Sequence, residues 1–94
     1  MTEEFYARRV KNWCDMMNDY FAVTIRKAKT PEVMKMMREV NNNYYDSLFD
    51  NLQMMDLDRG IKEQYQDDLN VLYNSFDNII DMMCSIREVS KSYE

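Results

Sequence analysis

Gly60 and Pro31 are the only glycine and the only proline in a chain of 94 residues. Tight hairpins draw on glycine for positive φ and on proline for pre-set turn geometry, so a β-rich fold has almost no turn chemistry available here. Long helices joined by very few turns are expected instead. Hydrophobic residues make up 46% of the chain and charged residues 31%, which is too apolar for a disordered segment. At this length one domain with one modest core is the upper bound.

The apolar periodicity supplies three helices. Tyr6, Val10, Trp13, Met17, Tyr20 and Thr24 recur at steps of four and three, widened by Cys14, Phe21 and Ala28, and predict an amphipathic helix over about 3–28. Thr2 is a suitable N-cap, and Glu3 and Glu4 complement the positive end of the helix dipole. Thr30-Pro31-Glu32 pairs a capping hydroxyl with proline at the first helical position, so a second helix is expected over about 31–56. Its stripe reads Val33, Met37, Val40, Tyr44, Leu48, Leu52 and Met55. Asn41, Asn42 and Asn43 are poor helix formers inside it, but the stripe keeps its phase across them, which favours a continuous helix. Gly60 marks a turn, closing the second helix, with Asp56 or Asp58 as the cap of a third. From Ile61 the stripe continues through Tyr65, Leu69, Leu72, Phe76, Ile79, Met83 and Ile86, predicting a helix over about 59–91.

Three such helices with short turns pack as an antiparallel up-down-up three-helix bundle, a single helical domain spanning 1–94. Position i of the first helix then lies opposite about 59 − i of the second, and the second opposite about 117 − i of the third. Trp13 is thereby set against Tyr44 and Tyr45, and Tyr44 against Leu72 and Tyr73, predicting an aromatic layer around Trp13.

The composition excludes several chemistries. With no histidine, imidazole acid–base catalysis, histidine metal ligands and histidine-containing triads are absent. One glycine cannot form a phosphate-cradling loop. Cys14 and Cys84 form neither a C-x-x-C pair nor a disulfide scaffold, and are expected to be unpaired, buried thiols. No catalytic residue, cofactor or metal site is expected: the pairs Asp46/Asp50 and Asp77/Asp81 do not meet across the second and third helices in this register. The acidic start Met1-Thr2-Glu3-Glu4 and the lack of a membrane-length apolar stretch point to a cytoplasmic protein without membrane contact.

Two charged surfaces and one apolar one remain as candidates. The net charge of −5 divides unevenly: residues 1–40 carry eight Lys/Arg against six Asp/Glu, and residues 41–86 carry two against nine. Asp46, Asp50, Asp67, Asp68, Asp77 and Asp81 form acidic rows suited to a basic protein surface. Arg26, Lys27, Lys29, Lys35 and Arg38 cluster at the first helical corner as a possible anion site. The stripes use roughly half of the apolar residues, leaving Phe5, Met34, Tyr45, Phe49, Met54, Val71, Tyr73 and Ile80 on the flanks. Of these, Tyr45, Phe49 and Tyr73 are candidates for self-association. Ten methionines serve as adaptable core filler.

The expected function is that of a non-enzymatic protein–protein interaction module, a small helical inhibitor or adaptor that self-associates and whose partner is another protein. Two alternatives stand beside it. One is an acidic mimic that blocks a nucleic-acid-processing enzyme. The other is a binder of nucleic acid or a phosphorylated ligand through the basic corner, less favoured because a chain with pI near 4.7 is a poor ligand for a polyanion.

Overall fold

A computed structural model describes residues 2–26 and 31–92, excepting the side chains of residues 25, 26 and 86–92. It contains α1 (Glu3–Arg26), α2 (Pro31–Met54) and α3 (Arg59–Ser92), and no strand among the described residues. The three helices form the up-down-up bundle, measuring 55 × 19 × 16 Å. At 1.5 Å per residue α1 and α2 each span roughly 36 Å and α3 roughly 51 Å, so α3 sets the length of the rod.

Local chemistry explains the helix ends. Thr2 caps α1: its Oγ1 accepts the Phe5 N–H at 3.1 Å, and its carbonyl accepts the Tyr6 N–H at 3.1 Å. The Asn41–Asn43 run does not break α2, which is continuous from Pro31 to Met54. Asp58 stands immediately before α3, and its carbonyl accepts the Lys62 N–H at 2.9 Å. Gly60 departs from its expected role of closing α2. It lies inside the first turn of α3 without a positive φ, because the turn at Met55–Asp58 closes through ordinary backbone bonds, Met55 N–H to Leu52 and Leu57 N–H to Met55.

The core runs through Tyr6, Trp13, Met17 and Phe21 of α1, Met34, Met37, Leu48 and Leu52 of α2, Met55, and Leu69, Phe76, Ile80 and Met83 of α3. Two flank assignments are corrected: Met34 and Ile80 are buried, while Ile61 and Ile79, both read into the α3 core stripe, are exposed. Both phases of α3 obey the same period, and α3 turns the Ile80 phase inward because it packs chiefly on α2. In four neighbouring methionine pairs one member is exposed and the next buried: Met16/Met17, Met36/Met37, Met54/Met55 and Met82/Met83. In the three pairs that lie within helices, the rotation of about 100° per residue turns one member inward and the other outward, whereas Met55 is buried in the turn that follows α2. Cys14 and Cys84 are unpaired and half-buried.

α2 is the middle helix, packed along both of its neighbours, whereas α1 and α3 approach each other mainly through large aromatic side chains. Among the described residues no helix is long and apolar enough to cross a membrane.

Candidate functional site

The rotation of α2 between its neighbours is held by one buried amide. Trp13 Nε1–H donates to Asn41 Oδ1 at 3.1 Å, and Asn41 Nδ2–H donates to the Tyr73 carbonyl at 3.3 Å. A buried indole N–H needs an acceptor, and Asn41, fully enclosed, supplies it while joining all three helices. An aromatic layer forms around this bond with Tyr44 as expected, but with Phe76 and Phe21 where Tyr45 and Tyr73 were expected. Trp13 stacks on Tyr44 at 6.4 Å between centroids and meets Phe76 edge-on at 5.4 Å, and Phe76 leans on Phe21 at 6.0 Å. Tyr45 does not join that layer, because the next residue along α2 points about 100° away.

Tyr45 instead turns to the outer seam between α2 and α3, where the first candidate face assembles. Its ring leans against Tyr73 at 4.9 Å and stacks on Phe49 at 6.1 Å. The Tyr45 hydroxyl donates to Asn70 Oδ1, and the Tyr73 hydroxyl donates to Asn42 Oδ1 at 2.6 Å. Two open depressions flank the Tyr45 ring, one edged by Phe49, Asp46 and Asp50 and the other by Asn42, Asn70 and Asn74. The three aromatic residues proposed for self-association and two of the acidic-row residues thus share one surface. The asparagines that complete it carried no recognisable sequence signal, since a polar residue at a helix flank reads as plain solvated surface.

The remaining acidic residues divide. Asp77 and Asp81, like charges at i,i+4, are bridged by Arg38, which meets Asp77 Oδ1 at 2.8 Å and also contacts Asp81. The Arg38 guanidinium is held more firmly in its charged form, chiefly by the hydrogen bond to Asp81. Arg38 therefore leaves the expected basic corner and neutralises part of the expected acidic row. Lys35 is exposed; the Arg26 side chain, Lys27 and Lys29 lie outside the described residues. Glu63 is met by Arg59 at 3.1 Å, and Asp67 is exposed on α3. Among the described residues Asp46, Asp50 and Asp67 have no ion pair, and no cluster of His, Cys, Asp or Glu suits a metal ion.

Asp68 is separated from the others and faces the groove between α1 and α3. There a cavity of about 220 Å³ is lined by Glu3, Tyr6, Ala7, Val10, Tyr65, Asp68, Leu69 and Leu72. The Tyr6 and Tyr65 rings stack at 5.6 Å, and the Tyr65 hydroxyl donates to Glu3 Oε1 at 3.2 Å. Burial, then the charge of Asp68, then Tyr65 push the Tyr6 phenol up to about 12. The hydrogen bond to Glu3 is the main cause of the upward shift at Tyr65. Sequence reasoning placed Tyr6 and Tyr65 in the core stripes and did not bring them together. Their pairing depends on the parallel run of α1 and α3 at a separation that only large rings span.

Comparison of the chain with protein-family models, with curated proteins and with solved structures returns no match.

Proposed function

We propose that this chain is a non-enzymatic protein-interaction module, a small helical inhibitor or adaptor whose working surface is the outer seam between α2 and α3. The observation that carries this reading is the seating of Tyr45 between Phe49 and Tyr73, beside Asp46 and Asp50, two carboxylates without an ion pair among the described residues. Aromatic anchors within a polar rim are the composition of binding hot spots. Uncompensated carboxylates around them favour a partner that presents lysine and arginine. We place the module in the cytoplasm, where unpaired thiols such as Cys14 and Cys84 persist.

A second copy of the chain is the poorer occupant of this face. A two-fold interface sets the same patch against itself, which would oppose Asp46 and Asp50 with their own counterparts. The nucleic-acid-mimic reading is weakened because Arg38 already engages both Asp77 and Asp81, two of the six residues in the acidic rows, and cancels one of their two charges. The basic-corner reading loses Arg38 to the same pair.

Affinity capture from the native host tests the proposal. The immobilised chain should retain a basic protein that elutes as salt rises, because rim charges are screened. Tyr45→Ala and the double change Asp46→Asn/Asp50→Asn should each lose it at unchanged helix content. Equal retention by both variants would overturn the reading. Salt acts in the opposite sense on a second copy, whose like charges it screens. A sedimentation mass that exceeds 11.5 kDa and grows with salt would therefore assign the face to self-association.

A further inference from the structure

We propose that the cavity between α1 and α3 is a binding site for a cation carried on an aliphatic stem, the chemistry shared by a lysine or arginine side chain and a free alkylamine. The inference goes beyond the seam reading. Leu69 and Leu72 line this cavity, whereas Asn70, Tyr73 and Asn74 edge the depression on the α2 side of α3.

The cavity is divided by chemistry. Ala7, Val10, Leu69 and Leu72 give it an apolar lining, Tyr6 and Tyr65 contribute two stacked rings, and Glu3 and Asp68 add two carboxylates. Those carboxylates are met by neutral donors. Glu3 Oε1 accepts from the Tyr65 hydroxyl at 3.2 Å, and Asp68 Oδ1 accepts from Gln64 Nε2–H at 3.2 Å. Neither has an ion pair among the described residues.

Each part of the site selects against a different class of ligand. An anion would meet two like charges. A neutral apolar molecule would cover the apolar lining but gain nothing from the two carboxylates at its exposed edge. A cation on a hydrocarbon stem satisfies both the apolar lining and the two carboxylates. Tyr6 keeps its proton across the ordinary pH range, so its ring stays a neutral phenol. The volume of about 220 Å³ lies below the roughly 300–1,000 Å³ of sites for drug-sized ligands, which suits an occupant the size of one side chain.

The test uses the full chain with three probes: n-pentylammonium, n-pentanol as its neutral isostere, and a short acetylated, amidated peptide containing one lysine. Binding is followed by amide chemical shifts of Ala7, Leu69 and Leu72. Pentylammonium should bind saturably in the millimolar range and roughly tenfold more tightly than pentanol. Glu3→Gln/Asp68→Asn should erase that preference. Ala7→Leu, which fills the space at an exposed helical position, should abolish binding of every probe while Tyr45→Ala leaves it intact. Saturable binding of the lysine peptide would assign the site to a partner's side chain, and binding of pentylammonium alone would assign it to a free amine. Equal affinity for pentylammonium and pentanol, or no saturable shift at those amides in the unsubstituted chain, would overturn the proposal.

Discussion

Asn41 and Asn51 are both asparagines on α2, and their surroundings make opposite demands. Asn41 satisfies the indole of Trp13 and bonds the Tyr73 carbonyl, so Asn41→Ala leaves a buried donor without an acceptor and should cost ~1–3 kcal/mol in urea unfolding. Asn51 Nδ2 is enclosed with no hydrogen-bond partner. Asn51→Leu removes that uncompensated polar group and should be neutral or stabilising by the same assay. Hydropathy cannot separate Asn41 from Asn42 and Asn43, which are exposed. What distinguishes Asn41 is a donor 28 positions earlier in the chain, and no local pattern encodes that. Tyr6 makes a second prediction at the level of one side chain. Its pKa is raised in the folded protein to about 12, so the folded form retains a proton that the unfolded form releases near pH 10. The associated stability is fully present below pH 10 and is lost as pH rises through 12, a fall of ~2–3 kcal/mol. Chemical unfolding across that interval should show the decline, and Tyr6→Phe should reduce it.

Within the helices, the boundaries were readable from capping chemistry and period. Thr2 caps α1, Pro31 opens α2 and Asp58 precedes α3, each as its residue type suggests. The phase of α3 was less readable, since Ile79 and Ile80 both continue the stripe and only the packing of α3 against α2 selects Ile80. Gly60 was misassigned to a helix end because glycine commonly ends helices, whereas here it occupies a helical position with nothing within 4 Å of an added Cβ. Gly60→Ala should therefore raise stability by ~0.5–1 kcal/mol, seen as a higher thermal midpoint, through lower chain entropy in the unfolded state. An unchanged or lowered midpoint would show that this turn of α3 needs glycine for another reason.

Taken whole, the molecule is a narrow rod in which α3 borders two unlike outer grooves: an acidic, tyrosine-centred seam shared with α2, and an aromatic cavity shared with α1. The acidic and aromatic halves of the seam were each visible as residue types in the sequence. Their union was not, because it follows from the rotation of α2 that Asn41 and Trp13 impose. Site-specific photocrosslinking in the native host tests whether that seam is the protein-binding face. A photoreactive side chain at Asn74, exposed at the edge of the Tyr45 depression, should form one dominant adduct with a basic protein. The same group at Ala22, exposed on α1, should form none. Adducts from Ala22 with none from Asn74 would contradict the account.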